Sequence, residues 1–263
     1  MLVSVMKPDI VEIYTDSLKL TAFWANKIRE ELQPILDSHP GRVHFRPSAS
    51  GVAMIGLHPD RPQRGRSGFR NLRRVRENFD KLYDKHCVKC EHGRSTPEKA
   101  LQSFLIREAY LNGRRMRSIN AASNGTDDPV ELIFAMDEIP VLRKAKPRMV
   151  CDLLALRQIC GDEYRPVLLE LKSDRDMKRL VEQVEGYTSV VDRHGDLFGE
   201  IFSALLGKRI RLIGSCEKWI VWPLAGADSD PRQAELGSMN IRVVGYEQNG
   251  PEFSFRVGRG VVR

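Results

Sequence analysis

A mixed α/β fold (α+β in its organisation), with helices flanking one central sheet, is predicted by three observations on the sequence. Apolar residues recur at helical spacing in some segments and alternate or run continuously in short others, so both element types are present. After residue 95 their order is α-β-β-β-α-(α)-β-β, which gives a mixed sheet covered by helices. Between two of the apolar runs, Gly161-Asp162-Glu163 supplies a tight turn, so those runs form a hairpin.

Residues 1–60 read as an α+β extension. Leu20, Trp24, Ile28, Leu32, Ile35 and Leu36 keep helical spacing, which predicts an amphipathic helix from Ser17 to Asp37, ended by Pro40-Gly41. Val43–Phe45 and Val52–Leu57 are short strands around a Ser/Gly turn. Residues 61–94 read as a basic linker and helix. His58 to Ser67 is rich in Pro, Gly and Arg and is expected to be loop. Phe69, Leu72, Val75, Phe79, Leu82 and Tyr83 then mark a helical stripe, with Arg70, Arg73, Arg74 and Arg76 mainly off it.

Residues 95–263 form the main unit. Thr96 is a natural N-cap with Pro97 at the first helical position, and Leu101, Phe104 and Leu105 give that helix its buried stripe. Strands are expected at Glu131–Val141, Arg148–Leu156 and Pro166–Leu171. Met177, Leu180, Val181, Val184, Tyr187 and Val191 define a helix from Asp176 to Asp192, and a shorter one lies near Leu197–Leu206. The last strands are Trp219–Trp222, Ile241–Tyr246 and Phe253–Val257.

Composition narrows the class of partner. A hydrophobic content of 41% is enough to bury a core, while no apolar run is long enough to span a bilayer, so no membrane partner is expected. Lys7, Pro8 and Asp9 interrupt the opening before a secretory apolar region develops, which leaves a cytoplasmic location as the default. The net charge of +7 suggests a polyanion, and from Arg61 to Arg76 there are seven arginines and no acid. Such a block either solvates a surface or tracks a phosphate backbone. The five cysteines are an odd set expected to be mostly free thiols. Within His86-Cys87-Val88-Lys89-Cys90-Glu91-His92, Cys87 and Cys90 have the spacing of two Zn²⁺ ligands, but no second pair follows.

The chemistry concentrates between Val150 and Tyr187. Asp152 and Glu170 flank the hairpin and can sit side by side across the sheet, where two acids repel unless a cation lies between them. A hard divalent ion such as Mg²⁺ takes oxygen ligands of that kind, and the Leu171 carbonyl is a further candidate. Lys172 lies two residues beyond Glu170 on the strand and shares its face, while the Leu171 side chain turns to the core. Gln183 and Tyr187, spaced i and i+4, lie on a helix face beside the apolar stripe, where they can meet a phosphate or a water.

Asp152, then Glu170-Leu171-Lys172, then Gln183-Val184-Glu185-Gly186-Tyr187 resembles the PD-(D/E)xK nuclease superfamily. The QxxxY element is similar to that of its RecB-like and lambda-exonuclease-like branches. The resemblance covers roughly residues 95–225. It implies a restriction-endonuclease-like αβββαβ core and a metal-dependent DNA nuclease, with a tilt towards exonuclease-like end processing. By that resemblance Asp152 and Glu170 bind Mg²⁺ or Mn²⁺, Lys172 assists the attacking water, and a glutamate of the preceding helix completes the metal shell. Glu98 and Glu108 both suit that last place, with Glu98 favoured as the earlier on the helix. Cys151 stands where the motif name has proline. The arginine segment would then contact DNA phosphates, and a homo-oligomer is compatible with the reading. Two other readings stand beside it: a non-catalytic nucleic-acid-binding protein with the same fold, and a zinc-stabilised interaction protein built on Cys87 and Cys90.

Overall fold

The computed structural model describes residues 8–59, 63–88, 96–124, 129–141, 149–174, 180–224 and 231–257. It opens with α1 (Pro8–Glu31) and α2 (Gln33–Ser38). The single helix expected there is interrupted because Pro34 has no amide to donate and its ring conflicts with the carbonyl one turn earlier. The buried stripe of α1 is Leu18, Ala22, Ala25 and Ile28, whereas Leu20, expected on that stripe, is 48% exposed. Small alanines let a neighbouring helix approach closely, a face that large apolar residues alone do not reveal.

Next comes a three-stranded antiparallel sheet, β1 (Val43–Ser48), β2 (Gly51–Gly56) and β3 (Arg64–Phe69). The expectation of loop over His58–Ser67 is corrected by β3. This edge strand is exposed along most of its length and so carries no apolar alternation. Backbone contact holds it instead: a Cβ on Gly65 would lie 2.1 Å from the Met54 carbonyl oxygen, so only glycine fits. The helix expected from Phe69 to Tyr83 is divided into α3 (Leu72–Glu77) and α4 (Phe79–Tyr83), followed by a π-helical turn at Asp84–Val88. At the break the Asn78 side chain donates to the Arg74 carbonyl at 3.1 Å, competing with the helical ladder.

The remaining elements are α5 (Pro97–Leu111), α6 (Arg117–Ser123), β4 (Leu132–Val141), β5 (Met149–Cys160), β6 (Glu163–Leu171), α7 (Leu180–Arg193), α8 (Gly195–Leu206), β7 (Arg211–Leu212), β8 (Glu217–Pro223), α9 (Pro231–Ser238), β9 (Ile241–Asn249) and β10 (Glu252–Val257). Seven strands form one mixed sheet, in the order β10-β9-β8-β6-β5-β4, with β7 paired to β6. β4, β5 and β6 are antiparallel neighbours, and Gly161 turns the β5–β6 hairpin at a φ of 53° that favours glycine. α7 and α8 return the chain so that β8 lies parallel to β6. α6 and α9 were not expected from apolar spacing; both are short.

Two apolar layers enclose the sheet. α5 covers one face, where Leu101, Leu105 and Ile106 meet Leu153, Leu169, Leu171 and Trp219. On the other face Val184 and Tyr187 of α7 and Phe198 and Phe202 of α8 join Leu154, Leu168, Ile220 and Trp222. The buried stripe of α1 belongs to that second layer and packs on α8. No helix of the described residues is long and apolar enough to cross a membrane.

Candidate functional site

β5 and β6 pair as far as Leu153–Leu169 and then part. Beyond that point β5 continues against β4, through Ile139–Cys151, and β6 continues against β8, through Glu170–Ile220 and Leu171–Val221. Asp152 and Glu170 are the first residues of the fork. The β4–β5 ladder also steps past Asp152, from Asp137–Leu153 to Ile139–Cys151. A side chain enters the gap: Asp152 Oδ2 accepts a hydrogen bond from the Leu171 amide at 2.9 Å. Strand alternation from Leu168 places Glu170 on the face covered by α7, while the Leu171 side chain is buried under α5.

The first turn and a half of α5 reaches across the fork. Glu98 Oε1 accepts from the Ser173 amide at 3.1 Å and the Ser173 hydroxyl at 3.3 Å, on the β6 side. One turn on, Gln102 Nε2 donates to the Asp152 carbonyl at 2.9 Å, on the β5 side. Residues i and i+4 lie one above the other on a helix, so one face of α5 holds both tips. Lys172 is fixed through its backbone, its amide donating to the Val221 carbonyl at 2.9 Å and its carbonyl accepting from the Tyr246 hydroxyl at 3.2 Å.

Charge is arranged accordingly. Lys172 Nζ donates to Glu170 Oε1 at 2.8 Å, while Glu170 Oε2 is buried without a hydrogen-bond partner. Burial, then the facing Glu170 charge, pushes the Asp152 carboxyl up to about 8. Burial also raises Glu170, against the opposing pull of Lys172. Burial alone would lower Lys172, but the charge and hydrogen bond of Glu170, joined by Asp152 and Glu98, raise it, so it stands as an ammonium. Two desolvated carboxyls face each other and one oxygen is unpaired, which is an arrangement that a bound cation relieves. Among the described residues, no three His, Cys, Asp or Glu side chains already enclose a metal position.

A second polar network borders this one. Asp137 of β4 is buried and accepts from Arg46 Nε at 2.9 Å, from Arg46 Nη2 at 2.5 Å and bonds His44 Nε2 at 2.7 Å. His44 Nδ1 lies 2.8 Å from the Tyr110 hydroxyl. Burial alone would raise Asp137, but Arg46 and then His44 hold it well below the usual carboxylate range. Burial lowers His44 despite Asp137, so the ring is neutral. Arg46 also reaches Glu138 at 2.6 Å, and Glu138 accepts from Lys99.

The residues singled out in the sequence separate into groups. Asp152, Glu170, Lys172 and Glu98 meet at the fork. Glu108 does not: it accepts from the Ser118 amide at 3.1 Å and from the Ser118 hydroxyl, at the start of α6. Tyr187 is buried in the α7 layer and Gln183 lies partly buried one turn earlier, above the same sheet face as Glu170. Arg70, Arg73, Arg74 and Arg76 are exposed; Arg73 pairs with Glu77 and Arg70 donates to the Ser50 carbonyl. Cys87 is buried, and Cys90 lies outside the described residues. Sequence reading missed Gln102, Ser173, Lys99, Glu138 and Arg46. Only Gln102 carried a signal, as a polar residue spaced i+4 from Glu98 beside the stripe of Leu101 and Leu105.

Against family models, curated proteins and solved structures, the chain has no match.

Proposed function

We propose that this protein is a metal-dependent nuclease that hydrolyses DNA phosphodiester bonds, with a restriction-endonuclease-like core. The observation that carries the reading is the pair of desolvated carboxyls, Asp152 and Glu170, meeting at the strand fork with Lys172 on one of them. The element order α5-β4-β5-β6-α7-β8 supports it, since α6, α8 and the two-residue β7 are additions to an αβββαβ series. Asp152, Glu170 and the Leu171 carbonyl would hold Mg²⁺ or Mn²⁺, with Glu98 beside them on α5. When bound, such an ion supplies Lewis-acid polarisation of a phosphoryl oxygen.

The chain's own residues do the rest. Lys172, charged and tethered by Glu170, orients the attacking water and offers positive charge to the phosphate as it becomes more negative. Glu98 and Gln102 keep Asp152 and the end of β6 at fixed spacing. Gln183 and Tyr187, on the helix above that face, orient the substrate backbone. The exposed arginines of α3 supply affinity for phosphates without reading sequence.

The test is incubation of linear, circular and single-stranded DNA with the protein in Mg²⁺ and in Mn²⁺. Wild type should cleave at least one of these, and Lys172→Ala and Asp152→Ala should each lower the rate by about 10²-fold or more, as loss of a group acting on the transition state does. Undiminished cleavage by Lys172→Ala rejects the assignment. Products released only from linear ends would identify end processing.

A further inference from the structure

The proposed site contains a lysine that its motif does not supply. Lys99 lies in the first turn of α5, next in sequence to Glu98, and its Nζ is held at two points. It donates to Gln102 Oε1 at 2.8 Å and to Glu138 Oε1. Gln102 in turn donates to the Asp152 carbonyl at 2.9 Å, so Lys99 is two hydrogen bonds from the backbone of a fork carboxylate. The charge of Lys99 acts on the Asp152 carboxyl ahead of that of Lys172 among the groups that stabilise its ionised form. Each fork carboxyl therefore has a lysine: Lys172 on Glu170, Lys99 near Asp152.

The tether is expensive to build. Glu138 adopts a φ of 44°, a left-handed conformation that a non-glycine residue holds only when its surroundings impose it. Arg46 of β1 bonds the Glu138 carboxylate at 2.6 Å while giving two other donors to buried Asp137. Two of the three ammonium donors of Lys99 are thus occupied, and its side chain is still 41% exposed. An ammonium held this way at a partly open edge can give its remaining donor to an incoming anion without losing its place.

We propose that Lys99 is a phosphate-binding residue of this site, held by Gln102 and by the Arg46–Glu138 pair so that it meets a DNA backbone phosphate beside Asp152. This rests on the nuclease reading for the identity of the polyanion. It also gives β1 a part in the site.

The test separates binding from cleavage. Affinity for a fluorescein-labelled DNA duplex is measured in chelator across a salt series, for wild type, Lys99→Met, Lys99→Gln and Lys99→Arg. Removing one phosphate contact should lower the slope of log affinity against log salt by about one, equally for any duplex sequence. Lys99→Arg should restore the slope. In Mg²⁺ the neutral variants should raise KM by more than they lower kcat. Thermal melts identify a neutral variant that keeps the fold, and the other is set aside. A wild-type slope in a folded neutral variant overturns the proposal, even if its cleavage is reduced. If wild type shows the Lys99-dependent slope yet cuts no DNA in Mg²⁺ or Mn²⁺, the nuclease reading falls and the phosphate contact stands. A wild type that binds no DNA in chelator overturns the Lys99 contact, and one that also cuts none in Mg²⁺ or Mn²⁺ overturns both.

Discussion

Asp152 keeps its proton well past the pH at which an exposed aspartate loses it. Between its unfolded value near the ordinary carboxylate range and about 8, the folded protein binds more protons than the unfolded chain. Stability contributed at this position therefore falls as pH rises through that window. The opposite slope belongs to Asp137, whose depressed carboxyl contributes stability that is lost only in acid. Asp152→Asn removes the first effect while keeping an oxygen to accept from the Leu171 amide. We expect the variant to melt above wild type at pH 8, with the gap closing towards pH 5, at about 2–4 °C per kcal/mol for a chain of this size. Millimolar Mg²⁺ should raise the melting temperature of wild type and leave the variant unmoved. Parallel melting curves across pH would show that the fork carboxyls do not repel.

At the scale of elements, α5 decides whether two diverging strands form a site. Without a side chain bridging them, the tips of β5 and β6 would have unpaired backbone groups at the place where the ladder ends. Gln102 satisfies one of these, the Asp152 carbonyl, and it is itself buried. Gln102→Leu keeps the bulk of the side chain but leaves that carbonyl without its donor, at a cost of about 1–3 kcal/mol. A larger effect is expected on Mg²⁺ binding measured by calorimetry, because Asp152 loses its fixed distance to Glu170. If metal affinity is unchanged while stability drops, α5 only supports the fold. Much of this element was visible in the sequence, since Thr96-Pro97 marks its start and Leu101 and Leu105 its buried face. The fork itself was half visible: the hairpin turn showed that Asp152 and Glu170 flank it, but the register that brings them level depends on a bulge between Gln158 and Cys160 that no spacing reveals. What could not be read were partners fixed by pairings far apart in the chain. Arg46 and Asp137 are 91 residues apart, and no period or spacing links them. β3 was hidden for another reason, as a glycine-containing, solvent-facing edge shows no apolar alternation.

Across the whole molecule, elements α1 and β1 and the main sheet share one buried layer and one buried charge network. α1 lays Ala22, Ala25 and Ile28 in the layer that includes Phe198 and Phe202 of α8. β1 brings His44 and Arg46 to Asp137, a carboxylate with no exposure of its own to fall back on. Taking one partner from a buried pair costs about 3–5 kcal/mol, because the remaining charge is then uncompensated. Arg46→Met should therefore lower the melting temperature by about 6–20 °C at neutral pH, at 2–4 °C per kcal/mol. The deficit should shrink in acid, as the stranded Asp137 takes up a proton that the wild-type carboxylate refuses. A fragment of residues 95–263 loses His44, Arg46 and the whole face of α1 together, so it should bind an apolar dye and show no cooperative melt by circular dichroism. If that fragment instead melts sharply within a few degrees of the full chain, the N-terminal elements are an accessory to the sheet and Asp137 has found its compensation elsewhere.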